Sequence, residues 1–284
     1  PDPSSYAAGR PNGKREGQTT PGPMLHLEQP STRTEDRHHR SYGRPVAAAL
    51  EPSMSPDAHG TWSASNMTLV SNYSGSTGTR TFTFAGTSFP IGNFNITAGG
   101  DIVSLNNGSF NNLSFVGFTG TYTLLTNNQN IRGSLTMGTG MTVTSGTVSL
   151  QFISTSTGNT ITSNGVQMNI PITFNGVGGG WSLQDNLNMG GASARTLTLT
   201  NGTFNANGYN VTAGAFSSSN SNTRTITMAS GTWTLTGTGT VWTTSTSTNL
   251  TLTSGTSTIV INDTSATSKT FSGGGLIYYN LTAS

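Results

Sequence analysis

The feature that most limits what this chain can fold into is a strict alternation of apolar and hydroxylated residues, broken at short intervals by glycine-containing bends. Arg80 opens RTFTFAGTSF, Arg195 opens RTLTLTNGTF and Arg224 opens RTITMASGTW; looser versions begin at Asn249 (NLTLTSGTSTIVI) and at Ser134 (SLTMGTGMTV). In RTLTLT, Leu197 and Leu199 project to one side of an extended chain and Thr196, Thr198 and Thr200 to the other, the signature of a half-buried strand. Thr suits the outer side because its branched side chain fits a pleated surface while its hydroxyl stays hydrated. Only Pro90 and Pro171 interrupt residues 61–284, which leaves backbone donors free for long ladders. No helical stripe is present in that stretch.

Arg195 and Arg224 are 29 residues apart and Arg224 and Asn249 are 25 apart, room for about three short strands and three bends. A unit of that size has too little core to fold alone; stacked units bury a continuous apolar column. The candidates for the column are Leu183, Leu197, Leu199, Phe204, Val211, Phe216, Ile226, Met228, Trp233, Leu235, Val241, Leu250, Leu252, Ile259 and Ile261. The dipeptides Asn107-Gly108, Asn164-Gly165, Asn175-Gly176, Asn201-Gly202 and Asn207-Gly208 mark bends, because both residues tolerate positive φ. The expected fold is therefore all-β, a right-handed parallel β-helix (β-solenoid) over residues 61–284. The alternative is an antiparallel β-sandwich of lectin or jelly-roll type, which shares the alternation and turn spacing. The repeat length and a body of more than 220 residues favour the solenoid.

Residues 1–60 are of a different kind. They hold nine of the eleven prolines, all four histidines, seven of the ten acidic and seven of the twelve basic residues. Without periodicity and with few apolar residues, they read as a disordered or loosely attached segment. His38 and His39 are adjacent, a poor spacing for two ligands from one face.

Residues 61–284 contain no Glu, His or Cys and a single Lys, Lys269. That depletion has a structural reason, since stacked units place equivalent side chains about 4.8 Å apart and like charges would repel in register. Ser, Thr and Asn stack instead, and Asn can hydrogen-bond along the stack. The depletion also limits chemistry. Without His there is no Ser-His-acid triad. The only acids are Asp101, Asp185 and Asp263, too sparse for the paired carboxylates of a glycosidase. GVGGGW (176–181) and SGGGL (272–276) lack the Lys of a phosphate loop and read as bends or close backbone approaches. No metal site, cofactor or catalytic residue is expected, and the chain reads as non-enzymatic. A net charge of +2 with no basic stripe argues against nucleic acid, and no apolar run reaches the ~20 residues of a membrane span.

Among the aromatic residues Trp62, Trp181, Trp233, Trp242, Tyr278 and Tyr279, the alternation places Trp233 and Trp242 in the core. Trp181, Tyr278 and Tyr279 are the candidates for contact with a surface glycan; Tyr278 and Tyr279 point to opposite faces if their segment is a strand. Ten Asn-x-Ser/Thr sequons, among them Asn66, Asn95, Asn201, Asn210 and Asn280, permit glycosylation without predicting it. The Thr-x-Thr runs raise an ice-binding reading, against which the drift in unit length counts, because a flat array needs regular stacking.

RTLTLTNGTFNANGYNVTAGAFSSSNSNTRTITMASGTWTLTGTGTVW, followed by NLTLTSGTSTIVIND and FSGGGLIYYNLT, resembles the degenerate β-helix repeats of bacterial surface adhesins and of phage tail-fibre and other virion-surface proteins. The resemblance covers about residues 180–284, and 61–180 in style. It implies an extracellular, cell-surface or virion-surface protein with a structural or adhesive role and no catalytic residues to transfer. Open strand edges favour self-association into a homo-oligomer or filament, with a cell-surface glycan as the other expected partner. A carbohydrate-binding or carbohydrate-active β-helix module is the alternative.

Overall fold

A computed structural model of the chain describes residues 67–283, apart from 85–90, 145, 147, 192 and 193. All of these belong to one unit, Ala47–Ser284. The segment 1–60, its boundary, His38, His39, Trp62 and Asn66 lie outside the described residues.

Those residues form a parallel β-solenoid of about nine turns, without helix. Every pairing between described strands is parallel, which excludes the antiparallel sandwich. Each coil runs over three faces. The coil beginning at Ala215–Ser217, for example, continues through Arg224–Thr227 and closes with Thr232–Leu235. The next coil lays Gly239–Thr243, Leu250–Thr253 and Thr258–Ile261 beside these three in turn. The first and second faces merge into one 14-stranded sheet, because Ile172–Leu183 and Thr196–Asn205 each run around the corner between them. The third face comprises a four-stranded and a five-stranded sheet, and a parallel bridge from Gln167 to Asn188 extends the five-stranded one by a residue of the preceding coil.

Stacked partners are separated by 19 residues at the shortest (Asn93 opposite Asn112) and 30 at the longest (Gly239 opposite Lys269). Most of the variation is absorbed at corners, and most strand pairs keep an unbroken register. The clearest case is GVGGGW. Between Asn175 and Gly180 one strand spends five steps where its neighbour, from Asn201 to Thr203, spends two. Val177 stands out at this bulge, 70% exposed. A Cβ at Gly176 or Gly179 would lie 1.8 or 2.0 Å from the Ser154 carbonyl oxygen, so the backbones meet too closely for any side chain.

Two of the asparagines expected at bends, Asn164 and Asn207, and two that were not, Asn169 and Asn249, do more than turn the chain. Asn164, Asn169, Asn207 and Asn249 have φ between 50° and 56°. Each donates its carboxamide to a backbone carbonyl of the preceding coil: Met137 at 2.7 Å, Val143 at 3.1 Å, Leu183 at 3.2 Å and Ser221 at 2.9 Å, respectively. Asn therefore meets two demands at once, a left-handed backbone and a donor aimed along the stack.

Inside the coils, Phe152, Phe174, Phe204, Trp233, Phe216, Trp242, Phe271 and Tyr278 form a continuous aromatic column, successive rings 4.3–5.9 Å apart. Thirteen of the fifteen residues expected in the core are buried, and Leu252 and Ile261 pack against it half-buried.

The phase of the repeat needs correction. Arg80 lies on the third face opposite Val103, Arg224 on the second face between Gly202 and Leu250, and Arg195 just before a first-face strand. All three faces use the same alternating grammar, so the recurring RT motif marks the start of a strand and not an equivalent place in the coil.

Candidate functional site

The solenoid exposes a surface of hydroxyl and carboxamide groups. On the second face one outward column passes through nine coils: Thr68, Asn93, Asn112, Ser134, Thr160, Ser182, Asn205, Thr227 and Thr253. Its first coils are tied along the stack. Asn112 Nδ2 donates to Asn93 Oδ1 at 2.7 Å, Asn93 Nδ2 to Thr68 Oγ1 at 3.3 Å, and the Ser134 N–H to Asn112 Oδ1 at 2.6 Å. The third face carries hydroxyl pairs of the same kind, Thr121 with Thr142 at 2.8 Å and Thr123 with Thr144 at 3.0 Å.

The few charges in residues 61–284 are mostly withdrawn or committed. Arg80 grips Asp101 through two hydrogen bonds of 2.7 and 2.8 Å, and its Nη1 donates to Ser71 Oγ at 2.6 Å. Its guanidinium also lies near the rings of Tyr73 and Phe118. Arg224 is buried and donates to the carbonyls of Ser218, Asn220, Asn222 and Thr248, which join one corner loop to the loop of the next coil. Arg195, also buried, donates to Gly146 O at 2.7 Å. Asp185 accepts the backbone N–H groups of Ser163 and Asn164. Asp263 is bonded by Lys269 and Ser265, which hold its carboxyl below the ordinary carboxylate value. Arg132 stands exposed.

The three acids expected to be too sparse for paired catalysis thus sit in different coils, each with its own structural partners. No group of three His, Cys, Asp or Glu side chains is placed to hold a metal among the described residues. No described helix is long and apolar enough to cross a membrane.

The glycan-contact candidates separate. Trp181 is 1% exposed, packed between Phe152 and Phe174, and its indole N–H donates to Gly133 O at 3.0 Å. It presents no ring to solvent, which corrects its place among the surface candidates. The corner bulge of glycines just before it turns this position inward. Tyr278 is half-buried, and its hydroxyl accepts from Trp242 Nε1 and pairs with Thr244 Oγ1. Tyr279 is 65% exposed. The two tyrosines do face opposite ways, although they precede the strand Asn280–Ala283 and are not part of it. SGGGL is a bend: Gly274 and Gly275 both have positive φ, and a Cβ at Gly274 would lie 1.9 Å from Thr244 O.

Sequence reasoning missed the inward use of arginine. Only their place at strand starts marked Arg195 and Arg224, and nothing local shows that surrounding carbonyls will bury them. Comparison of the chain with protein-family models, with curated proteins and with solved structures gives no match.

Proposed function

We propose that this solenoid is a non-enzymatic extracellular scaffold, a shaft- or adhesin-like element of a cell or virion surface. The supporting observation is its exterior, a ladder of neutral polar side chains through nine coils, with most of the few charges buried or paired. Tension along the stack is shared by three ladders of backbone hydrogen bonds, reinforced by the asparagine bonds between coils. The outer hydroxyls keep the surface hydrated and offer many weak contacts with no ionic preference. Ile277, Tyr279 and Leu281 are 83%, 65% and 46% exposed, an apolar patch on which a second copy would pack.

Sedimentation velocity over a range of concentrations, with negative-stain images, tests the self-associating part. Growing species that shrink in Ile277→Lys support it, and a monomer at every concentration contradicts it. Turnover of a polysaccharide abolished by Asp185→Asn or Asp263→Asn would overturn the non-enzymatic reading. The exposed ring of Tyr279 favours the carbohydrate-binding alternative, which glycan-array binding lost in Tyr279→Ala would support.

A further inference from the structure

The C-terminal coils of the second face differ from the rest of its outer surface. Thr203, Thr225 and Thr251 stack in one rank, and Asn205, Thr227 and Thr253 in the next, with no shift of register between Arg224–Thr227 and its two neighbours. Beneath them the inward residues are Phe204, Ile226 and Leu252. Parallel strands lie about 4.8 Å apart and alternate residues about 6.6 Å apart, so the five threonines occupy a grid of about those spacings. The branched side chains rest on a packed sheet with restricted χ1.

None of these five hydroxyls hydrogen-bonds to another described residue. That contrasts with Thr121 and Thr142, Thr123 and Thr144, and Thr160 and Ser134, whose hydroxyls bond to each other directly. Hydroxyls at the full strand spacing of about 4.8 Å are too far apart to bond, but one water about 2.8 Å from each closes the gap with an O···O···O angle of about 118°. That is near the tetrahedral angle of fully hydrogen-bonded water. Bridges between Thr203 and Thr225, Thr225 and Thr251, and Thr227 and Thr253 would seat water in two neighbouring files. Among the described residues, no outward strand position of this face carries a charge to draw water into a different arrangement.

We propose that this threonine grid binds ice, the ordered lattice whose geometry the bridging waters begin. The variation in coil length that counted against a flat array falls largely at corners and leaves these ranks in register. The proposal is independent of the scaffold role, because self-association and ice binding are read by different measurements.

The test uses the full chain in ice-affinity partitioning and in thermal hysteresis measured by nanolitre osmometry. The wild type is expected to concentrate in the ice fraction and to show hysteresis. Thr227→Lys with Thr251→Lys should reduce both to the buffer value, and the milder pair Thr227→Ala with Thr251→Ala should reduce both in part. Gln151→Lys, on the outer side of the first face, should leave both unchanged. Circular dichroism and melting curves establish that each variant is folded. A wild type that neither partitions into ice nor shows hysteresis overturns the proposal. So does ice activity that survives the lysine pair, or binding to a neutral glycan through the same threonines without ice activity.

Discussion

At the scale of single residues, stability rests on a few polar groups held inside. The Arg80–Asp101 pair closes one corner with an Asp101 side chain 1% exposed. Removing the acid leaves a largely buried cation without its partner, so Asp101→Ala should cost about 3 kcal/mol in urea unfolding. Tyr122 presents the opposite case. It is buried and its hydroxyl has no hydrogen-bond partner among the described residues, so Tyr122→Phe should raise stability at neutral pH by about 1 kcal/mol. Burial also pushes the Tyr122 and Tyr278 phenols above their ordinary 10.0. With folded pKa values above the unfolded one, their contribution is complete below pH 10 and is lost as pH rises from there through the folded values. Melting temperature should therefore fall more steeply above pH 10 in the wild type than in Tyr122→Phe. Little of this was legible in the sequence. Asp101 and Arg80 are 21 residues apart, and only the coil spacing brings them together.

At the scale of strands and corners the sequence was far more informative. Alternation fixed which side of each strand faces inward, and Asn-Gly marked the bends. Two of those dipeptides, Asn175-Gly176 and Asn201-Gly202, fall inside long strands that turn a corner without ending. What local sequence could not show was phase, because the same pattern serves every face. The corner occupied by Asn207 in one coil is occupied by Ala229 in the next, also at positive φ, 56°. Ala229 bears the cost of a left-handed backbone and has no carboxamide to bond along the stack. Ala229→Asn is expected to stabilise by about 1 kcal/mol. Asn207→Ala should lose about 2 kcal/mol and Asn207→Gly less, since glycine keeps the conformation and loses only the bond. Thermal melts of the three variants check that order, and an equal loss in Asn207→Ala and Asn207→Gly would contradict the conformational part.

At the scale of the whole solenoid, each coil depends on its neighbours, so damage in the middle is felt on both sides. Phe174 is fully buried and lies 5.0 Å from Phe152, 5.3 Å from Trp181 and 4.8 Å from Phe204. Phe174→Ala should cost about 4 kcal/mol, and hydrogen exchange should show lost protection in the strands Leu150–Phe152 and Thr196–Asn205 as well as its own. The stacking itself is open to direct test because the chain has no cysteine. Thr227 and Thr253 are stacked partners, whereas Thr225 and Thr253 are diagonal. Parallel pairing places the first pair about 4.8 Å apart at Cα, within disulfide range, and the second about 8 Å apart, outside it. Mild oxidation of Thr227→Cys/Thr253→Cys should give an intrachain disulfide in nearly all molecules, and Thr225→Cys/Thr253→Cys should give almost none. The reverse result, or equal yields from both pairs, would contradict the parallel solenoid.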